Sequence, residues 1–330
     1  MHKYCTLILA LTIFGQPLSA QEIRSALHDD LARTYGFCQG QKRSMVRIQN
    51  EFPTLANSAG RAQLAFDQVF RRACENIETE LQQLIGQKWS IYKGQIDQRI
   101  ATSLGSSQLQ ESQAKSFIDE VGVRAKGQIP SPTLQILLSR RPDFQSNPAR
   151  ELISGFKIIF QSKGHPKAKG LDFRIEYPRS WFAKEGIRPH VLQLITSENG
   201  RGLENIAILV KELPLPPDYP ITEKDKDELF SVQGMKEMLP AGASLISALP
   251  IILDRQKAGM IIFDSSQKRV DMNITTRSVH FVTLYKNKMI FIQGMVASKV
   301  SNHATVQERY RRFEPLFKLV ANSFVLLSQY

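Results

Sequence analysis

The sequence predicts an α+β protein: an N-terminal helical bundle followed by an antiparallel sheet covered by helices. Three observations carry that reading. Apolar residues of the first part recur with a helical period, as in Phe66, Val69, Phe70, Ala73, Ile77, Leu81 and Leu84. Beyond about residue 150 the period becomes two, with Leu171, Phe173, Ile175 and Tyr177 alternating with Asp172, Arg174 and Glu176. Between the two patterns lie Pro130, Pro132, Pro142 and Pro148, a density of proline that stiffens and divides a chain.

Taken in order, residues 1–20 have the layout of a cleavable secretory signal peptide. Lys3 gives the positive start, Leu7 to Phe14 the apolar core, and Pro17-Leu18-Ser19-Ala20 a small-residue end, so cleavage is expected after Ala20. The apolar stretch is too short for a membrane-spanning helix, which needs roughly 20 apolar residues. No later run approaches that length, so the mature chain is expected to be exported, periplasmic or extracellular, without a transmembrane segment.

Residues 21–126 read as the bundle. A second helical stripe, Ala114, Phe117, Ile118, Val121 and Ala125, is closed by Gly127. Of three cysteines, Cys5 falls in the leader, leaving Cys38 and Cys74, and an even pair in an oxidising compartment predicts one disulfide. Cys74 follows Ala73 at the edge of the long stripe, and Tyr35-Gly36-Phe37-Cys38 reads as the turn that meets it. Residues 127–154 read as a Pro-rich connection with one short helix around Leu134, Leu137 and Leu138. The second domain then spans 155–330.

Its strands are predicted at Leu171–Tyr177, Val191–Thr196, Ile206–Val210, Ile251–Asp254, Met260–Asp264, Val270–Thr275, Val279–Tyr285 and Met289–Val296. The last four form an antiparallel meander with short polar turns. Ile206–Val210 is apolar throughout, which calls for cover on both faces. Helices are expected at Thr222–Phe230 and where Val306, Tyr310, Phe313, Phe317 and Val320 share one face.

Within 155–330 a hairpin ends in Tyr177-Pro178-Arg179-Ser180-Trp181, and the last helix runs into Ala321-Asn322-Ser323-Phe324. This order resembles the PsbP-like α/β/α sandwich family, which includes the photosystem subunit PsbP and DcrB-type envelope proteins. The resemblance implies a docking or binding module acting through surfaces. It covers about half the chain, and it transfers no functional residue.

Chemistry is sparsely signalled. The six histidines show no metal-ligand spacing, and His280, within a strand, reads as a core histidine. Ser112-Gln113-Ala114-Lys115 matches a short SxxK pattern without companion motifs, and Ser112 reads as a helix N-cap. Glu75, Glu78 and Glu80 read as a solvated helix face balancing Arg71 and Arg72, and Arg309, Arg311 and Arg312 as the wet side of the last helix. No catalytic residue, metal site or cofactor is predicted. One constellation remains: Lys163, His165, Lys167 and Lys169 recur every second residue, so an extended segment would align them as an anion-binding face. With a net charge of +12, anionic lipid or polysaccharide joins a protein partner as an expected ligand, and the absence of a long basic block argues against nucleic acid. The function this predicts is an exported, non-catalytic binding or scaffolding protein acting through protein–protein docking surfaces. The alternatives are an envelope-acting hydrolase and a protein associated with anionic lipid or glycan.

Overall fold

The computed structural model describes residues 20–106, 108–216, 220–269, 272–298 and 303–330. The leader at 1–19 lies outside the described residues, as does Val270 of one expected strand. The chain divides into two units between Ser146 and Asn147.

The first unit is helical. Helix α1 (Ala20–Glu51) turns through Pro53–Leu55 into α2 (Ala56–Ile85), and α3 (Trp89–Gly105), α4 (Glu111–Ala125), α5 (Thr133–Ser139) and α6 (Pro142–Ser146) follow. Cys38 is joined to Cys74, with Cα atoms 6.2 Å apart. The Tyr35–Cys38 segment is not the expected turn: it runs inside α1. Leu31, Tyr35, Cys38, Met45 and Ile48 are buried at helical spacing, and this continuous stripe outweighs the cost of Gly36 and Gly40 within the helix. In α2 the buried stripe is Phe66, Phe70, Ala73, Ile77 and Leu81, while Leu84, expected on it, is 48% exposed. Helix α4 begins one residue before Ser112. Its N-cap is Gln110, which forms a capping box with Gln113, so Ser112 lies in the first turn and caps nothing.

The Pro-rich stretch is shared between the units. Thr133, Leu134, Ile136, Leu137 and Leu138 of α5 are buried, and Arg140 pairs with Glu80 of α2 at 2.6 and 3.1 Å. Glu80 and Glu78 therefore leave the solvated face assigned to them: Glu78 pairs with Lys93, and Glu75 alone faces Arg71, at 3.8 Å. Helix α7 (Ala149–Ile153) belongs to the second unit, where buried Glu151 accepts hydrogen bonds from the Ser180 main-chain N–H and hydroxyl, each 2.6 Å.

That second unit pairs β1 (Lys157–Gln161) with β2 (Arg174–Pro178) as a separate hairpin. Strands β3 (Phe182–Lys184), β4 (Val191–Thr196), β5 (Glu204–Glu212), β6 (Ser244–Leu253), β7 (Gln256–Arg269), β8 (Met272–Tyr285) and β9 (Lys288–Ser298) form a seven-stranded antiparallel sheet ordered β3-β4-β5-β9-β8-β7-β6. Helices α8 (Glu223–Leu229) and α9 (Val232–Glu237) precede β6, and α10 (His303–Asn322) follows β9. Both faces of β5 are indeed covered. Ile206, Ile208 and Val210 join the core under α10, with Phe313, Phe317 and Val320. Ala207 and Leu209 join Phe230, Met235 and Met238 from the α8–α9 side. The approach of α10 is close enough that a Cβ on Gly294 of β9 would lie 2.5 Å from the Phe317 ring.

Two expected strands, Val270–Thr275 and Val279–Tyr285, are one: β8 runs unbroken through the polar residues between them. Those residues are satisfied across the ladder rather than by a turn. Thr276 bonds Ser265 at 2.8 Å, and Arg277 grips Asp264 through two bonds of 2.7 and 2.8 Å. Arg309 also departs from its assigned wet face, since its guanidinium pairs with the buried Glu204.

At the outer edge, β6 carries no charged residue, exposes Ile246, Leu249 and Ile252, and shifts register between Leu245 and Ser247, with Pro250 further along.

Candidate functional site

The β1–β2 connection is a tight folded turn rather than an extended segment. Buried Ser162 anchors it: its hydroxyl donates to the Leu171 carbonyl at 3.0 Å and accepts from the Phe173 N–H at 2.9 Å. Pro166 opens a 3-10 turn over Pro166–Ala168, and Gly164, Lys169 and Gly170 hold left-handed φ values of 75°, 54° and 80°. This curl replaces the extended backbone on which the single face expected for Lys163, His165, Lys167 and Lys169 depended.

Each of the four has its own position. Lys163 is exposed. His165 is part of the turn itself: Nδ1 accepts the Lys167 N–H at 3.2 Å and the ring meets Phe160 edge-on. The Lys167 ammonium donates to the Gly186 carbonyl and pairs with Glu185 at 2.7 Å. Lys169 pairs with Glu212 at 2.8 Å. Both carboxyls are held below the usual carboxylate range, Glu185 by its bond to Lys167 and Glu212 by its bond to Lys169.

The turn delivers Lys167 and Lys169 to a cationic cluster that the sequence reading missed. Arg188 and His190 come from the β3–β4 connection, and Lys211 from β5. Lys211 follows directly on the apolar run Ile206–Val210, in step with Ala207 and Leu209 on the α8–α9 face of the sheet. Its ammonium lies 5.4 Å from the centroid of Phe291, the residue opposite Leu209. Burial pushes the Lys211 amine below its ordinary value, and the charge of Arg188 adds to the shift. His190 is lowered first by burial, then by Lys211, Arg188, Lys169 and Lys167, and its Nε2 is buried with no hydrogen-bond partner among the described residues. The useful sequence signal was parity: a lysine two residues beyond Leu209 must share its face.

Chemically, Lys211 is a half-buried ammonium whose charge is lessened in water contact and answered by no carboxylate among its described interactions. Glu185 and Glu212 are engaged by the outer lysines. An anion entering here would gain from Lys211, which is partly shielded from solvent, and from the exposed Arg188, and would offset the burial and positive charge that hold His190 neutral. Among the described residues no group of three or more His, Cys, Asp or Glu is placed to hold a metal ion. No described helix is long and apolar enough to cross a membrane.

Comparison with known proteins gives no family model that matches the chain. No curated protein matches it either. Among solved structures, LpqN, involved in cell envelope biogenesis of Mycobacterium tuberculosis, is 12% identical over 55% of this chain and 96% of its own, with a TM-score of 0.31. A protein from Bacteroides thetaiotaomicron is 16% identical over 52% of this chain, with a TM-score of 0.28. The match spans 47%, about half, of that protein's length. Likenesses at this level carry no functional argument.

Proposed function

We propose that this chain is an exported, non-catalytic binding protein whose sheet unit engages an anionic group at Lys211, Arg188 and His190. The observation that carries the reading is the half-buried Lys211, which has no acidic partner among the described residues. Leaving a cation in such surroundings costs stability unless a ligand repays it. The Cys38–Cys74 disulfide supports export, since such bonds persist in oxidising compartments. The PsbP-like resemblance of residues 155–330 supports a surface-acting module. Lys167 and Lys169, tied to Glu185 and Glu212, set the outer field of the site.

Titration of the full chain with inorganic phosphate and with a sulfated polysaccharide tests this reading by calorimetry. Lys211→Gln should weaken binding about tenfold, as expected for the loss of one partly shielded charge-assisted contact worth about 1.5 kcal/mol. Replacing Lys163, Lys167 and Lys169 together by Gln should have a smaller effect, greatest at low salt. Equal affinities for wild type and Lys211→Gln would sink the assignment.

A further inference from the structure

Between α2 and the start of α6 the helical unit holds a cleft of about 400 Å³, a size in the range of small-molecule sites, about 300–1,000 Å³. Leu64, Asp67, Arg71 and Arg72 line it from α2, and Arg141, Pro142 and Asp143 from the other side. Both walls belong to one unit. The second wall is fixed in place. Arg140, just before it, pairs with Glu80 through its guanidinium, and its carbonyl accepts the Asn76 side-chain amide at 2.9 Å. Arg141 closes on Asp143 through bonds of 3.1 and 2.7 Å and lies over the Phe144 ring at 4.0 Å. The charges of that wall answer each other.

Those of the α2 wall do not. One Asp67 oxygen takes the Gln63 side-chain amide at 2.7 Å, which leaves the other for a donor in the cleft. Arg71 approaches Glu75 only to 3.8 Å, with both side chains well exposed. Arg72 has no hydrogen-bond or ion-pair partner among the described residues. Helical rise therefore sets an open carboxylate and two open guanidinium groups four to five residues apart, about 6–7.5 Å along the axis. Leu64, which lies one turn before Asp67 and is 59% exposed, adds apolar surface beyond the acid.

We infer that this cleft binds a short peptide of dipeptide length with both ends free. Its ammonium meets Asp67, its carboxylate meets Arg71 and Arg72, and the side chain of its first residue lies toward Leu64. Two extended residues span about 7 Å, which matches the spacing on α2, whereas one spans about half of that and four about twice. Such a ligand is neutral overall, so the match lies in the separation of opposite charges and not in net charge. Guanidinium groups suit the carboxylate end because they bind it with charge-assisted, directional hydrogen bonds. The fixed second wall lowers the ordering cost of binding. The site is in the other unit from Lys211 and is independent of it.

Calorimetric titration of the full chain tests this with leucyl-alanine, its C-terminal amide, its N-acetyl form, free leucine and leucyl-trialanine. The free-ended dipeptide should bind most tightly of the five. Arg72→Gln should weaken it about fivefold, the fold-change of one exposed charge pair, and leave the affinity of the amide unchanged. Asp67→Asn should weaken the free-ended dipeptide similarly and leave the N-acetyl form unchanged. Neither side chain is buried, so thermal unfolding should hardly move. Absence of leucyl-alanine binding, or tighter binding of leucine or leucyl-trialanine, would overturn the inference. Equal losses against free and blocked ligands would overturn it too, by showing that the two residues do not meet the peptide ends. Arg72→Gln should leave the phosphate titration unchanged and Lys211→Gln the dipeptide titration, so the two sites stand or fall separately.

Discussion

The two units treat their charges differently. In the helical unit the prominent cations are answered across helices: Arg140 by Glu80, Lys93 by Glu78, and Arg43 by Asp97. These pairs link α1, α2, α3 and the segment after α5, so they serve to set one helix against another. The sheet unit has such pairs too, Arg277 with Asp264 and Arg309 with Glu204. On its α8–α9 face, however, Lys211 sits over Phe291, its amine lowered first by burial and then by the charge of Arg188. Charge balanced by geometry explains folding; charge left over calls for a ligand. The second unit is where binding of a net anion should be sought.

The means of cohesion differ as well, and this gives ways to break the comparison. The largest effect should come from Phe317→Ala, which empties a fully buried ring site above Gly294 and should cost about 3–5 kcal/mol. Urea unfolding followed by probes in each unit should show the sheet transition moving and the helical one staying. If both move together, the units unfold as one body and the division at Ser146 has no energetic meaning.

Reduction of the disulfide should act on the other unit. Cys38 and Cys74 are 36 residues apart, and the chain-entropy estimate for a loop of that size is about 4 kcal/mol. Reductant should lower the helical transition while the sheet transition holds. An unchanged helical midpoint would mean that α1 and α2 are held by their apolar stripe alone.

A smaller and finer effect concerns acid. His280 lies on β8 between Phe263 and Phe291, its ring centroid 4.8 Å from that of Phe263, and burial pushes its imidazole from the ordinary 6.5 down to about 3. A lowered value means that the unfolded chain takes up the proton first. Its contribution is therefore complete above pH 6.5 and is lost as pH falls from about 6.5 toward about 3. His280→Gln, which does not titrate, should make the sheet transition less sensitive to pH across that window. A parallel pH profile in the variant would show that carboxylates alone govern the acid limb.

Reading the sequence succeeded where one periodic signal dominated. The α2 stripe, the two-faced β5 run and the apolar side of α10 each follow from spacing and burial. It failed where polar residues had partners far away in the chain. Thr276 to Ser278 read as a turn because the hydrogen bonds of Thr276 and Arg277, to Ser265 and Asp264, cross to another strand. Gly36 read as a break because local propensity was weighed above the stripe from Leu31 to Ile48. The candidate site was half visible. Lys167 and Lys169 drew notice through regular spacing, but that spacing presumed extended backbone, and Pro166 with the left-handed turn residues curls it. Arg188 and His190 come from the β3–β4 connection and Lys211 from β5, segments that only the sheet brings together.

The outer strand β6 bears on how copies of this chain meet. Ten residues without a charge, at the open margin of a sheet, offer main-chain groups on which another strand could grow. Pro250 has no N–H, and on a marginal strand that missing donor falls on the outward side. The register shift between Leu245 and Ser247 bends the rest of the row. An incoming strand therefore meets a gap and a kink within a few residues, and the ladder stops at seven. A row of main-chain groups broken at Pro250 and bent at Leu245–Ser247 is a poor template for a neighbouring chain.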